Sequence, residues 1–469
     1  MSNKVIITIV VIVVSACVLL SAGLIVGGAF LLRAQKNYNE PTTVVVVPGD
    51  EPTTAAPTTG TTETPAVDSG LSSEVLAQMD EIQRQVSEIR GLPQKSELVR
   101  DLMTPEELND TVVNDFFKDY TEEDAASDTE ILSRLGLLES DFNLLQFYLD
   151  LYSEQIAGFY DSETKEMYVI AGEGFGGTER MTYAHEFNHA LQDQTYDLEN
   201  GLKLNDDYCE TDTEYCAAVS ALIEGDSTTA ETFWFYQYAT DQDRQDVFSF
   251  QEDYSSPVYD SAPAYMKEDF LFPYIQGQTF VQSLLDAGGW DAVDAAYANL
   301  PVTTEQILHP EKYPEDKPVA VDIPDLSAGL EGNWEEVDRN VMGEWYTYLI
   351  LARGWNPQFV MEDDDAKEAA AGWGGDTYVY YSSTENNDYL FAWRSTWEGT
   401  TDTNDYYDLS RKYGLARWGI PDVNTGTVVS WTSASDGKVT IRRSGSDVLW
   451  LMGSTDDLVD HALEVIGDF

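Results

Sequence analysis

The segment Thr182-Tyr-Ala-His-Glu-Phe-Asn-His-Ala-Leu-Gln-Asp193 carries the strongest signal in the chain. His185 and His189 are four residues apart, so on a helix they project from the same face. The chain has only four histidines, and a chance H-E-x-x-H match has an expectation on the order of 0.003. Two such imidazoles can bind one Zn²⁺, and Glu186 between them can reach a metal-bound water. The alternative is a helix whose histidines only cap or pack.

A third protein ligand is needed, because catalytic zinc usually has three protein ligands and a water. Glu224 is the best candidate, since it lies in AAVSALIEGD, residues 217–226, which is predicted to be a second helix. A carboxylate on the inner face of a packed helix is costly unless it is paired or metal-bound. Asp193 and Asp226 are candidates to accept the second N–H of a zinc-bound histidine. The alternative for all three acids is an ordinary solvated position.

The residues before the histidine helix predict a different local structure. Residues 158–161 (GFYD), a polar SETK turn and residues 167–171 (MYVIA) are typical of a β-hairpin. Further upstream, residues 71–157 are predicted to be mainly helical. The first of these helices has a narrow apolar seam with 4-3-4-3 spacing, formed by Val75, Met79, Ile82, Val86 and Ile89.

The C-terminal part predicts an antiparallel sheet with helices. Helices are expected at 340–360, 362–371, 402–413 and 455–466. Short strands with close spacing favour antiparallel pairing, and they are expected at 377–381, 389–397, 427–432, 438–443 and 448–451. The block 372–376 is expected to be a glycine-rich turn from helix to strand.

The N-terminus predicts a membrane anchor. Residues 5–32 are almost wholly apolar, which exceeds the roughly 20 residues that a helix needs to cross a bilayer. Residues 40–69 are rich in Thr and Pro and contain no Lys or Arg, as expected of a solvated stalk outside a cell. We therefore expect a single-pass protein of the cell membrane with an extracellular soluble part. The alternative is a cleaved signal peptide.

Acidic side chains far outnumber basic ones. The chain carries 84 acidic and 26 basic side chains, for a formal charge of −58. Nucleic acid is excluded as a partner, because phosphate binding needs clustered Lys and Arg. Such self-repulsion destabilises a compact state unless salt screens it. The composition therefore favours a halophilic prokaryote, and the alternative is a merely acidic secreted protein.

The chain contains three cysteines. Cys17 lies in the predicted span. Cys209 and Cys216 lie in the soluble part, where an exterior location would allow a disulfide. The alternative is two unrelated thiols, and a four-sulfur zinc site is disfavoured because no second cysteine pair exists.

The stretch HEFNHALQD resembles the active-site helix of thermolysin-like zinc peptidases, the gluzincins. Further blocks resemble a group of prokaryotic, membrane-anchored gluzincin-like proteins, and with them the resemblance spans roughly residues 75–465. These blocks are HExxHALQDQ from His185, LxEGD from Leu222, TEQILHPEKY at 304–313 and AAxGWGGD at 369–376.

The resemblance implies peptide-bond hydrolysis with Zn²⁺ held by His185, His189 and Glu224. Glu186 would be the general base, and the oxyanion would be stabilised by His309 or Tyr274. It also implies an extended peptide substrate paired along the strand at 167–171. The gap before the glutamate is longer than in thermolysin, so a disulfide there could brace the loop or remodel the cleft.

The expected fold class is α+β, with five segments. They are a transmembrane anchor (1–36), a stalk (37–70), a helical region (71–157), a zincin-like catalytic core (158–335) and a C-terminal antiparallel-sheet α+β module (336–469). Two other functions stay open. One is a non-catalytic surface protein that binds a peptide or cell-wall component on a zincin fold, and the other is a zinc hydrolase of a non-peptide substrate.

Overall fold

The computed structural model describes residues 13–14, 71–171 and 174–467. The predicted anchor and stalk therefore lie outside the described residues, except for Val13–Val14, whose backbone forms a two-residue strand, β1. Within the described ranges, no helix is both long enough and apolar enough to cross a membrane.

The described chain is mixed α and β, as the sequence predicts. The helices before the C-terminal sheet are α1 (Ser73–Arg90), α2 (Pro105–Thr111), α3 (Glu122–Leu135), α4 (Leu144–Gln155), α5 (Gly177–Tyr196), α6 (Asp206–Cys209), α7 (Thr213–Gln237), α8 (Asp241–Asp253), α9 (Pro257–Ser261), α10 (Ala264–Gly288), α11 (Trp290–Ala298) and α12 (Thr304–Leu308). A π-helical turn, Val112–Phe116, continues α2. The strands in this part are β2 (Val99–Met103), β3 (Gly158–Asp161) and β4 (Glu166–Ile170).

The end signals and the apolar seam of α1 explain where this helix begins and ends and which face it buries. The Ser72 hydroxyl accepts a hydrogen bond from the Val75 N–H, and Gly91 ends the helix at φ 72°, a conformation that favours glycine. The seam packs into the same core as α5, so α1 belongs to this domain. Its buried seam residues are Met79, Ile82 and Val86.

A small mixed sheet lies beside α5, in the order β1-β3-β4-β2. Strands β3 and β4 form the predicted hairpin, with Phe159 opposite Tyr168. The expectation that residues 167–171 form a free edge for a peptide is wrong, because β4 is an interior strand. It pairs with β3 on one side and, in parallel, with β2 on the other. On its other side β3 pairs with Val13–Val14, so the outer strands of the sheet, among the described residues, are β1 and β2.

Helices α7 and α10 cross at two glycines. A Cβ on Gly225 would lie 2.2 Å from the backbone of Gly277, and a Cβ on Gly277 would lie 2.0 Å from the Ala221 carbonyl oxygen. Any side chain at either position would therefore push the helices apart. This contact fixes the position of Glu224, the neighbour of Gly225, relative to α10.

The C-terminal sheet has seven antiparallel strands in the order β5-β6-β7-β11-β10-β9-β8. The strands are β5 (Trp334–Asn340), β6 (Trp373–Ser383), β7 (Tyr389–Trp397), β8 (Val423–Asn424), β9 (Val428–Ser433), β10 (Gly437–Ser444) and β11 (Asp447–Gly453), and the helices are α13 (Gly343–Ala352), α14 (Asp363–Ala370), α15 (Thr400–Trp418) and α16 (Asp456–Ile466). Successive side chains of β11 pack into two different hydrophobic cores, one on each face of the sheet. Trp450 packs with α15 on one face, while Leu449 and Leu451 pack with α16 on the other.

Two local expectations differ from the structure. β5 runs across the expected boundary between core and module, and no strand was expected there. Residues 373–376 belong to β6, where a turn was expected, and the register of β6 shifts between Trp373 and Gly375. A β-bulge admits glycine inside a strand, which is why this glycine-rich block resembled a turn.

Candidate metal centre

Two helices bring three ligand atoms together. His185 Nε2 lies 3.1 Å from Glu224 Oε2, and His189 Nε2 lies 3.4 Å from the same oxygen. The three side chains could hold a metal ion, since their ligand atoms all lie within 4.8 Å of one another. Both histidines are fully buried and Glu224 is 6% exposed. Two imidazoles and one carboxylate form a donor set that suits a divalent transition metal.

The local fold explains this convergence. His185 and His189 are one turn apart on α5, and their ring centroids are 4.7 Å apart. Glu224 comes from α7, which packs against α5. The α7–α10 crossing at Gly225 and Gly277 limits how far Glu224 can shift along the axis of α7.

The other ring nitrogen of each histidine has its own buried partner. His185 Nδ1 lies 2.9 Å from Glu231 Oε2, and His189 Nδ1 lies 2.8 Å from Gln192 Oε1. A proton on each Nδ1 is donated to these oxygens, so each Nε2 faces Glu224 and is the atom that can offer a lone pair to a metal. Neither partner was predicted from the sequence. A signal existed for each, because Glu231 lies two turns after Glu224 and Gln192 lies three residues after His189.

The structure assigns Asp193 and Asp226 other partners than expected. Asp193 Oδ2 accepts from the Tyr160 hydroxyl at 2.7 Å and from Lys165 Nζ at 2.6 Å. Asp226 accepts from Arg90 and Tyr297. The expectation that these acids orient the imidazoles directly is therefore wrong. In their place, longer side chains on the same helices reach the Nδ1 atoms.

Glu186 lies where the hairpin meets the histidine helix. It is fully buried, and a Cβ on Gly158 would lie 3.4 Å from Glu186 Cγ and 2.6 Å from Thr182 Cγ2. The first residue of β3 is therefore a glycine because its backbone passes directly over this face of α5. Glu186 thus lies between the two histidines and next to β3.

The two expected oxyanion residues lie in different surroundings. The Tyr274 ring, on α10, is centred 6.4 Å from the His185 ring. His309 directs Nε2 to Glu344 Oε1 at 2.8 Å, and its Nδ1 lies 3.9 Å from Glu311 Oε1. The structure thus brings Tyr274 to the metal centre, whereas the polar contacts described for His309 lie at the junction with the C-terminal module.

His185 lies between two carboxylates, and this arrangement affects the pKa values at the centre. Burial opposes charge on this imidazole, but its hydrogen bonds to the Glu224 and Glu231 carboxylates outweigh burial and raise the pKa of His185 to about 10. Burial lowers the pKa of His189. For Glu224, burial opposes ionisation, yet attraction to the two histidines lowers its pKa. The surroundings of the three ligands therefore favour a positive charge between the carboxylates.

A second cluster of acidic side chains already contains a positive charge. Glu305, Asp316 and Glu398 could also hold an ion by their spacing. The ammonium of Lys312 lies among them, 2.7 Å from Glu305, 3.7 Å from Asp316 and 3.0 Å from Glu398. Lys312 supplies the positive charge there, so we assign no metal to this group.

Cys209 and Cys216 form a disulfide, with their Cα atoms 5.6 Å apart. Cys209 ends α6 and Cys216 lies in the first turn of α7. The bond therefore joins the loop between the two ligand-bearing helices to the start of the helix that carries Glu224.

Comparison with known proteins gives one match. Residues 331–462 match a family model described as a domain of unknown function, DUF8575. No curated protein and no solved structure gives a significant match. The matched residues cover the seven-stranded sheet, and the metal centre lies before them.

Proposed function

We propose that the protein is a zinc-dependent metallopeptidase with a gluzincin-type, zincin-like core. The observation that carries this proposal is the convergence of His185, His189 and Glu224 on one buried point, with Glu186 between the histidines on the same helix. Three protein ligands of this kind leave a fourth position open, which is the arrangement of catalytic rather than structural zinc. A site kept only for structure has no need of Glu186.

The chain's own side chains would act around the reacting peptide. Zinc, when bound, polarises the scissile carbonyl and acidifies a water molecule. The Glu186 carboxylate accepts the proton of the attacking water and passes it to the leaving amine. Tyr274 is the better candidate to donate a hydrogen bond to the oxyanion, because its ring lies beside His185, whereas His309 is bonded to Glu344.

The substrate strand would pair with β3. β3 pairs with β4 on one side and with Val13–Val14 on the other, so a substrate strand would take the place of that two-residue pairing. The first residue of β3, Gly158, lies over Glu186. An extended peptide added to this side of β3 gains main-chain hydrogen bonds and would pass close to the general base, whereas β4 is paired on both sides with the longer strands β3 and β2.

The cellular setting is part of the same proposal. The apolar stretch at 5–32 would anchor the protein in the cell membrane, and the stalk would hold the catalytic part outside. The charge of −58 suits a halophilic prokaryote, in which concentrated salt screens the carboxylates.

The proposal is tested on the full-length chain in detergent and about 1 M KCl, where charge is screened. We expect zinc to co-purify with the wild type and to be lost from Glu224→Ala. We expect cleavage of denatured casein by the wild type and its loss, with zinc retained, in Glu186→Gln. Asp141→Asn, a change of an exposed acid, is the control for loss of one negative charge.

Three outcomes contradict the proposal in different ways. Zinc bound without cleavage of any peptide, ester or amide would favour a surface binding protein. Cleavage of esters or amides alone would favour a non-peptide hydrolase. Equal zinc content in the wild type and Glu224→Ala would refute the ligand assignment.

A further inference from the structure

A line of buried polar contacts joins the end of α1 to the metal ligand His189. We propose that Arg90, Asp226, Tyr297 and Gln192 are positioning residues that together hold His189 in the tautomer able to bind a metal. This inference rests on the metal centre of the proposed function. It gives helix α1, which contributes no ligand, a role in metal binding.

The first link is a buried ion pair. Arg90 and Asp226 are both fully buried, and Arg90 Nε donates to Asp226 Oδ1 at 2.7 Å. The guanidinium also lies 2.7 Å from Asp294 Oδ1 and stacks over Trp290 at 4.6 Å. Buried charges are costly unless they are paired, so this arginine holds the Asp226 side chain in place as a hydrogen-bond acceptor.

The second link is the Tyr297 hydroxyl, which donates to Asp226 Oδ2 at 2.8 Å. Burial and the nearby Asp226 hold the pKa of Tyr297 far above its ordinary value, so the phenol keeps its proton. A hydroxyl has a single proton. Because that proton is committed to Asp226, the Tyr297 oxygen can only accept from its other neighbour.

The third link is the Gln192 side-chain amide. Its Nε2 donates to the Tyr297 hydroxyl oxygen at 2.9 Å and to the Ile223 carbonyl at 3.0 Å. Two acceptors thus fix the NH₂ end of the amide. The opposite end, Oε1, must then face His189 Nδ1, at 2.8 Å.

The tautomer follows from these three links. An amide oxygen can only accept, so His189 Nδ1 must carry the proton and Nε2 must carry the lone pair. Nε2 is the atom that faces Glu224. The Ser227 hydroxyl, 3.1 Å from Nδ1, can donate or accept and does not by itself choose a tautomer. The choice therefore comes from Gln192, whose amide is oriented by the Ile223 carbonyl together with the chain of contacts that begins at Arg90.

The test is a double-mutant cycle on Co²⁺ affinity, measured from the visible spectrum of the full-length chain in detergent and KCl. Tyr297→Phe removes one hydroxyl and keeps the ring that stacks on Tyr196, with centroids 4.0 Å apart. We expect it to weaken Co²⁺ binding by about 3–10-fold, and Gln192→Leu to weaken it by about 10–100-fold. In the Gln192→Leu background, Tyr297→Phe should cost less than about twofold, because its effect passes through Gln192.

The matched control is Tyr215→Phe. It lies on the same helix as Glu224 and loses a similar buried hydrogen bond, from its hydroxyl to the Leu202 carbonyl at 2.8 Å. A purely structural effect would move both phenylalanine variants alike, whereas the inference requires Co²⁺ affinity to fall only in Tyr297→Phe. If Tyr297→Phe does not fold, Arg90→Lys takes its place in the cycle.

Three results overturn the inference: unchanged Co²⁺ affinity in Tyr297→Phe, an equal loss in Tyr215→Phe, or fully additive losses in the cycle. A wild type that binds no Co²⁺ overturns the inference and the proposed function together. A wild type that binds Co²⁺ and, loaded with zinc, cleaves nothing refutes the proposed function alone, because the cycle measures binding.

Discussion

Replacement of Glu231 by glutamine should weaken metal binding while leaving the fold intact. Glu231 is 1% exposed, and its Oε2 accepts from His185 Nδ1 at 2.9 Å. Glutamine has nearly the same shape and can still present an amide oxygen to that N–H. The substitution therefore removes the negative charge and keeps the hydrogen bond.

The expected magnitude follows from that difference. A hydrogen bond to a charged group contributes about 1.5–3 kcal/mol and a neutral one about 0.5–1.5 kcal/mol. The loss is then about 1–1.5 kcal/mol, and 1.4 kcal/mol corresponds to a factor of ten. We expect the metal dissociation constant of Glu231→Gln to rise about tenfold. The same change lowers the attraction that holds a proton on His185, which favours metal binding below about pH 10 and acts in the opposite direction. The dissociation constants are therefore measured over a pH series and compared for the unprotonated imidazole.

The assay is a chelator competition titration with zinc, and the control is Glu214→Gln. Glu214 lies on the same helix and is also buried, but its carboxylate accepts from the Thr304 N–H and hydroxyl. Burial raises the pKa of Glu214 well above its usual range, and Glu214→Gln makes the same acid-to-amide change on this helix without touching a histidine. Equal zinc affinity in the wild type and Glu231→Gln, or an equal loss in Glu214→Gln, would refute the charge argument.

Three further predictions concern protons and salt. Because neighbouring carboxylates raise the pKa of His185 to about 10, zinc binding at pH 8 should release about one proton, seen by calorimetry in buffers of different ionisation enthalpy; an equal binding enthalpy in all buffers contradicts this. The raised pKa of His185 also stabilises the metal-free fold. This stabilisation is fully present below about pH 6.5 and is lost as the pH rises through about 10. Burial raises the pKa of Asp338 to about 7, so its stabilising proton is lost as the pH rises from about 4 through 7. Asp338→Asn should therefore raise the free energy of unfolding at pH 8, by up to about 4 kcal/mol, seen as a higher melting temperature than that of the wild type, and no gain there would refute the sign. Circular dichroism should show unfolding as KCl falls below about 1 M, and a chain equally stable in dilute buffer would remove the screening argument.

The sequence predicted those parts of the site that depend on local spacing. His185 and His189 are one turn apart on any helix, so their shared face needed no tertiary information. Glu224 was found because a carboxylate among apolar residues needs a partner. Glu231 was missed because a buried glutamate cannot be told from a solvated one in a chain with 84 acids.

Long-range pairing explains the remaining differences. The strand at 167–171 was expected to be a free edge because hairpins are local, whereas its parallel partner β2 comes from Val99–Met103, far upstream. Tyr297 and Arg90 lie 105 and 136 residues from their partners Gln192 and Asp226. No periodicity or motif spacing links residues so distant, so this line of contacts is visible only in the folded chain.

The C-terminal sheet also bears on the metal centre, because it is attached to the helix that carries Glu224. Asn340 Oδ1 accepts from the Thr213 N–H and hydroxyl at the start of α7. Gly343 has φ 69°, and a Cβ there would lie 1.9 Å from a Glu214 carboxylate oxygen.

The blocks at 304–313 and 369–376 meet at this junction, since Thr304 bonds Glu214 and Asp376 accepts from the Gly343 N–H. The residues that match DUF8575 thus include the contacts that fix the first turn of α7. Movement of that turn would be transmitted along the helix toward Glu224, because a continuous helix moves as a rigid element. The C-terminal sheet and the candidate metal centre are therefore better understood as one structural unit than as two separate domains.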